Sequence, residues 1–343
     1  MDRFWANKEV EKAEIEEFAG QIVVATDAKV NLSAVDTDGY KWLQNASLVI
    51  VDEAHKATTP IYTRILRWLA TGVGKKGDMR PVLGLTATPA KRGVEKRFGP
   101  KIIRISQELL GEESDVDYLR RIEVLAYADH RLLEGVDIED GVKELIEEEE
   151  EDTLTDSDGE GEPGDDVNQR KKLAPWLDPK TEVQLAENQK RNKTIIKDIL
   201  SLDRTWPVIL FALSVGHAQY LAAVLTKNGI KSACVSSATK TGVRKLHINN
   251  FRNGKIQVLT NYGVLTTGFD APKVRAIYIT RPTFSLALYL QMIGRGLRGP
   301  VNGGTKDCLI VDIEDNFKNY NIDHVYKEMG EFWRPDPIET GGS

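Results

Sequence analysis

The chain has 343 residues, of which 41% are hydrophobic, 29% charged and 7% aromatic. That length and balance fit a globular protein of about two domains and exclude wholesale disorder and a collagen-like fibre. The net charge of −6 conceals an asymmetry: residues 134–166 hold 17 Asp and Glu against Lys143 alone, so this segment carries −16 and the rest of the chain +10. A basic body with one acidic block is compatible with a polyanionic partner, although surplus Lys and Arg also simply solvate a surface. No apolar run approaches the roughly 18 residues of a membrane span. Met1-Asp-Arg-Phe4 lacks an apolar signal core, and two isolated cysteines, Cys234 and Cys308, form neither a disulfide framework nor a four-cysteine zinc site. A cytoplasmic location is therefore expected.

In chain order, residues 21–26, 47–51 and 81–85 read as short apolar strands, the kind expected in a parallel sheet covered on both faces. Between the last two, residues 61–69 have helical spacing, so the first part of the chain is an alternating α/β unit. Residues 102–127 read as connecting strands and turns. The acidic block follows, and its like charges with interspersed Gly and Pro predict a disordered insertion. An acidic tether of this kind is also able to mimic nucleic acid and compete for a basic groove. After Lys171 a second α/β pattern begins, with helices over 182–202 and 217–227 and another opening at 284–290. Strands are expected at 208–213, 231–235, 256–260, 276–280 and 309–312.

Four places carry chemistry. Leu48-Val-Ile-Val-Asp-Glu-Ala-His55 ends a buried strand in two carboxylates, at the edge where parallel α/β sheets bind ligands. One carboxylate there suits Mg²⁺ held through its waters, and its neighbour suits activation of an attacking water; an ordinary acidic turn has the same composition. The strand at 81–85 ends in Thr86-Ala-Thr-Pro89, which offers two small hydroxyls. Val264-Leu-Thr-Thr-Gly-Phe-Asp-Ala-Pro272 follows a third strand, with Gly268 permitting close backbone approach and Asp270 available to a ribose or a loop. In Gln291-Met-Ile-Gly-Arg-Gly-Leu-Arg298, Gln291 and Arg295 are spaced i, i+4 and Arg295 and Arg298 i, i+3, which on a helix places all three on one face. Two guanidinium groups so placed suit the charge on a transferring phosphoryl group, although an arginine pair also solvates helices.

Taken in order, these segments resemble motifs II, III, V and VI of superfamily 2 helicases of the DEAD/DEAH-box kind. Thr26 resembles the threonine of motif Ib, and Ser214 and His217 lie where motif IV falls. Gly-Phe-Asp-Ala-Pro and Gln-Met-Ile-Gly-Arg-Gly-Leu-Arg look similar to RadD-like repair helicases and to the translocating subunits of type III restriction enzymes. The resemblance implies an α/β architecture of two RecA-like lobes with mostly parallel sheets, the first lobe incomplete, separated by the acidic insertion. The partial first lobe is expected over 1–110, a connector over 111–180, the second lobe over 181–320 and a tail over 321–343. It further implies ATP and Mg²⁺ as cofactors, with Asp52 holding Mg²⁺, Glu53 activating water, His55 coupling to Gln291, Arg298 as arginine finger and Arg295 beside it. Gly268 and Asp270 would serve the nucleotide. Thr26, Thr86, Thr88 and Thr266 are the candidate contacts to DNA, which would lie along both lobes, held by its phosphates.

One motif is missing. The phosphate-cradling loop, Gly-x-x-x-x-Gly-Lys followed by Ser or Thr, occurs nowhere in the chain: Gly74-Lys75 and Gly254-Lys255 are followed by Lys76 and Ile256. Asp52 lies too near Met1 for the usual layout, so an upstream polypeptide supplying the loop, a truncated gene and a degenerate remnant all fit, and open strand edges in the first lobe are expected. Two functions follow: an ATP-dependent DNA helicase or translocase that is inactive by itself, or a non-catalytic nucleic-acid-binding or regulatory subunit.

Overall fold

The computed structural model describes residues 23, 25, 30, 43, 46–54, 57, 59–70, 81–86, 98, 103, 105–137, 179–264, 271, 273–283, 286–318 and 333. They fall into two compact units, Met1–Ile105 and Ser106–Ser343. The acidic block, the strand expected over most of 21–26 and the tail beyond Lys318 (apart from Trp333) lie outside the described residues.

In the first unit, β1 (Val49–Asp52) and β2 (Val82–Leu85) pair in parallel, with Asp52 opposite Leu85. Helix α1 (Pro60–Ala70) connects them and matches the helical spacing of its sequence. Val51, Ala54, Ala57 and Ile65 are buried on one side. Gly84 admits this packing, since a Cβ there would come within 2.8 Å of the Ala54 side chain. The expectation that these strands are covered on both faces is corrected: Leu48, Ile50, Val82, Leu83 and Leu85 are exposed. An apolar run records strand preference and the wish for burial, not whether a neighbour supplies it.

The second unit is built on a six-stranded, wholly parallel sheet in the order β3-β8-β7-β4-β6-β5. Its strands are β3 (Tyr127–Leu133), β4 (Val208–Phe211), β5 (Ser232–Ser236), β6 (Val258–Tyr262), β7 (Ala276–Ile279) and β8 (Asp307–Ile313). Alternate residues of the central strands feed two cores. Ile209, Phe211, Leu259, Ile277 and Ile310 pack with Tyr289, Met292 and Ile293 on one face; Val208, Leu210, Val258, Tyr278 and Val311 pack with Ile195, Ile199, Leu221 and Leu225 on the other. Burial of both faces explains why these strands read as continuous apolar runs. The helix expected over 182–202 is two, α4 (Pro179–Glu187) and α5 (Gln189–Ser201), broken where Asn188 caps α5 by accepting from the Arg191 N–H at 3.0 Å. Helix α6 (Val215–Lys227) is as expected, and α7 (Thr241–Arg252) is an addition.

The stretch expected to hold only connecting strands and turns contains α2 (Gln107–Leu110) and α3 (Asp115–Arg121), then β3, which aligns with β8 from Tyr127 to Leu133. The second sheet therefore reaches into the segment assigned from sequence to a connector. Helix α8 (Leu286–Ile293) and a short α9 (Asp315–Lys318) complete the unit.

A buried ion pair ties the carboxyl ends of four strands together. The fully buried Arg191 guanidinium on α5 donates to both oxygens of Asp315, just past β8, at 2.9–3.1 Å. It also donates to the Thr280 carbonyl past β7 at 3.0 Å. Asp315 accepts in addition from the Val136 N–H past β3, and Asn316 donates to the Ile279 carbonyl at 2.7 Å. Asn192, beside Arg191, joins the network to the tip of β4 through His217. Breaking such a pair strands one charge in a dry site. Asp315→Ala is expected to destabilise the second unit by about 3–5 kcal/mol in urea unfolding, while Arg191→Met with Asp315→Leu together costs far less. Equal losses from the single and double changes would contradict a desolvated pair.

Candidate functional site

In the first unit the expected residues converge at one strand edge. Asp52 is the last residue of β1 and Glu53 follows it; Thr86 directly follows β2, whose register sets Leu85 beside Asp52. The Glu53 backbone N–H donates to Asp52 Oδ1 at 2.9 Å, which turns the chain sharply and fixes that carboxylate. Glu53 has φ of 54°, in the left-handed region. A non-glycine residue there costs roughly 1–2 kcal/mol and marks a place where geometry outweighs comfort. Among the described residues the other such residue is Glu123 (φ 58°), which follows the C-terminal turn of α3; left-handed residues are common at that position. Glu53 has no helix end to explain it. Asp52 is exposed and Glu53 half-buried. A single exposed carboxylate with one oxygen already committed fits Mg²⁺ held through water, with most of its shell supplied by a ligand's phosphates. His55, Thr88 and Thr26 lie outside the described residues.

In the second unit the arginine segment departs from expectation. Helix α8 stops at Ile293, so only Gln291 is helical; Arg295 sits in a turn and Arg298 in an antiparallel bridge with Leu125. The three side chains therefore do not share a helix face. The cause lies in the glycines. A Cβ on Gly294 would meet the Leu290 carbonyl oxygen at 2.8 Å, and one on Gly296 would overlap Cys308 Sγ and approach Ile277 at 3.0 Å. Gly296 thus lets the backbone lie directly on β7 and β8, which a continuing helix would not do. Beyond it, the segment is hydrogen-bonded to the turn between α3 and β3. The Ala126 N–H donates to the Leu297 carbonyl at 3.0 Å, Gly299 N–H to Val124 carbonyl at 3.0 Å, and Val301 N–H to Glu123 carbonyl at 3.2 Å. Sequence reasoning missed this brace because nothing in residues 123–126 signals a partner some 175 positions away. Gln291, Arg295 and Arg298 are all half-buried. Thr266, Gly268 and Asp270 lie outside the described residues.

Ser214 and His217 are structural. Ser214 caps α6, its Oγ accepting from the His217 N–H at 3.1 Å. The buried His217 ring accepts from the Leu213 N–H through Nδ1 at 3.3 Å, which leaves Nε2–H to donate to Asn192 Oδ1 at 2.9 Å. Asn192 Nδ2 donates to the Ala186 carbonyl, so the amide orientation agrees with this tautomer. Burial, helped by the nearby Arg191 charge, lowers the His217 pKa from 6.5 to about 3.

A family model, the helicase conserved C-terminal domain, matches residues 191–299, from the buried arginine of α5 to the glycine after Arg298. The matched residues thus resemble the C-terminal lobe of superfamily 2 helicases. A stretch of 134 residues is 37% identical to a putative ATP-dependent helicase, IRC3, of Saccharomyces cerevisiae, covering 37% of this chain and 19% of that protein. The chain thus spans only about a fifth of this relative's length. Two solved structures share the fold. One is a fragment of a putative HsdR subunit of a type I restriction enzyme from Vibrio vulnificus (TM-score 0.52, 21% identity, 84% of this chain and 45% of that one). The other is S. cerevisiae Dbp5 bound to RNA and ADP BeF3 (TM-score 0.51, 16% identity, 96% and 66%). The α/β, RecA-like character of the lobes agrees with expectation. No helix among the described residues is long and apolar enough to cross a membrane.

The His217 geometry sets a pH dependence. The unfolded state binds a proton near pH 6.5 that the folded second unit refuses until about pH 3. The stabilisation is therefore complete above 6.5 and is lost as pH falls through this window. Urea unfolding between pH 6.5 and about 5 should lose about 1.4 kcal/mol per pH unit from this one group, and His217→Gln should remove that slope. An unchanged slope in the variant would show that His217 is not the group refusing the proton.

Proposed function

We propose that the chain is part of an ATP-dependent motor that moves on DNA, with both units serving one hydrolysis reaction. The observation that supports this best is the arginine segment, whose glycines and backbone pairing hold Arg295 and Arg298 on the sheet of a helicase lobe. In this reading Glu53 orients and deprotonates the attacking water, and Asp52 carries Mg²⁺ through its hydration shell. Arg298 compensates the charge on the transferring phosphoryl group, Arg295 contacts the phosphates, and Gln291 with His55 relays nucleotide state. Gly268 and Asp270 would serve the nucleotide. Thr26, Thr86, Thr88 and Thr266 would contact the phosphates of the nucleic acid. ATP and Mg²⁺ supply the phosphoryl group and its charge neutralisation when bound.

DNA is favoured over RNA by the resemblance of Gly268-Phe-Asp-Ala-Pro272 and Gln291–Arg298 to RadD-like and restriction translocases. Because no Gly-x-x-x-x-Gly-Lys with a following hydroxyl residue occurs in the 343 residues, the phosphate loop is proposed to come from another polypeptide segment. The same observation favours one alternative, a nucleic-acid-binding subunit without turnover. A reducing compartment such as the cytoplasm suits the two free thiols, Cys234 and Cys308.

ATP turnover measured on the chain together with a loop-bearing first-lobe segment should be stimulated by DNA more than by RNA, while the chain alone shows negligible turnover. Glu53→Gln and Arg298→Ala should each lower kcat by about 10³-fold or more. Turnover that survives both changes would sink the motor reading; salt-dependent DNA binding with no turnover in any combination would establish the alternative.

A further inference from the structure

Strand β3 lies at one side of the second sheet and has a single neighbour, β8, among the described strands. The Tyr127 N–H donates to the Lys306 carbonyl, and the Leu133 carbonyl accepts from the Glu314 N–H. The odd-numbered residues of β3 thus turn their peptide groups toward β8, and Ala128, His130 and Leu132 turn theirs to the outer edge. Open strand edges pair with a chain that reaches them. Here Trp333 does so, through a parallel bridge with Ala128. Its ring also stacks on the His130 ring, with centroids 4.5 Å apart and planes at 22°. Trp333 is half-buried and packs against the core that contains Tyr289, Met292 and Ile293.

Beneath the stacked rings runs a line of polar contacts. His130 Nε2 lies 3.1 Å from Asp312 Oδ2 on β8. The same oxygen accepts from the Tyr289 hydroxyl of α8 at 2.7 Å. A carboxylate only accepts, so His130 Nε2 carries the proton of its contact. Asp312 is fully buried, and its Oδ1 has no hydrogen-bond partner among the described residues. A carboxyl group this dry depends strongly on the few donors that reach it. One of them sits on the strand that Trp333 covers. The other sits on the helix that carries Gln291, two residues further on. Taking the indole away admits water to the His130–Asp312 contact. Water that reaches Asp312 competes with Tyr289 for the same oxygen and loosens the hold on α8.

We propose that Trp333 is a latch: seated on the outer edge of β3, it shields the line His130–Asp312–Tyr289 from water and thereby holds α8, and with it Gln291, in place. His130, Asp312 and Tyr289 act here as positioning residues. The inner side of β3 is paired with β8 from Tyr127 to Leu133, whereas Trp333 meets the outer side through an isolated bridge. Trp333 is therefore able to leave without unpairing the sheet, and its departure uncovers the outward peptide groups of β3. The inference goes beyond the motor reading, because it concerns how a residue near the C-terminus controls a helix. Under the motor reading, the controlled residue is the one that relays nucleotide state.

The test is amide hydrogen exchange of the full chain, read residue by residue by NMR. In the unaltered chain, nuclear Overhauser contacts should join the His130 ring to the Trp333 indole, a readout that needs no variant. Trp333→Leu should speed exchange of the Ala128 and His130 amides by about tenfold or more, and of residues 290–293 in α8 as well, while β4 and β6 keep their rates. Trp333→Phe keeps an aromatic face on His130 and should retain most of the protection. Tyr289→Phe removes only the hydroxyl that ends the line. In that background Trp333→Leu should still free the edge of β3 but should no longer change α8, as expected for contacts that act in series. Acceleration confined to β3 in Trp333→Leu would overturn the control of α8. Acceleration spread evenly over β4 and β6, or absence of contact between the two rings, would overturn the latch itself. ATP turnover enters none of these readouts, so failure of the motor reading leaves the test intact.

Discussion

The arginine segment is fixed by backbone, not by a helix, and the placement of Arg295 and Arg298 depends on that. Gly296 brings the chain onto Cys308 and Ile277, where any side chain would collide. The pairing of 297–301 with 123–126 then sets the direction in which Arg298 leaves the sheet. A helix of the same sequence would carry Gln291, Arg295 and Arg298 as one rigid stripe. The turn instead separates Gln291, in α8 beside the buried Met292, from the two guanidiniums.

The carboxyl edge is rigid. The desolvated Arg191–Asp315 pair and the neutral His217–Asn192 contact hold the ends of β3, β4, β7 and β8 in register. Apart from Arg191 Nη1, which has no hydrogen-bond partner among the described residues, their polar groups are spent on one another, so they confer precision. Arg281 lies over the ring of Tyr262 at the neighbouring ends of β7 and β6.

Much of the second unit was legible because its strands are short apolar runs buried on both faces, and α1 and α6 because their apolar residues recur at helical spacing. What escaped did so for physical reasons. Strand β3 carries Asp129, His130 and Arg131 in its middle, a polar run made acceptable by the His130 and Tyr289 bonds to Asp312. Helix α7 buries little beyond Phe251 and so has no clear periodic stripe. The glycine turn hid inside spacing that fits a helix, since a hydrophobic pattern says nothing of where a missing Cβ permits close approach. In the first unit the strands were legible but their exposure was not. For the candidate site, the residue types and order of Asp52, Glu53, Arg295 and Arg298 were readable; the left-handed backbone of Glu53 required coordinates.

The central claim is that Glu53 in one unit and Arg298 in the other act on the same phosphoryl transfer. A double-mutant cycle on DNA-stimulated kcat, with Glu53→Gln, Arg298→Ala and both together in the presence of the loop-bearing segment, tests it directly. Groups serving one transition state are strongly non-additive, so the double variant should be scarcely slower than the worse single one. Losses that multiply, leaving the double variant slower by the product of the two single effects, would show that the residues serve separate events and would contradict the account.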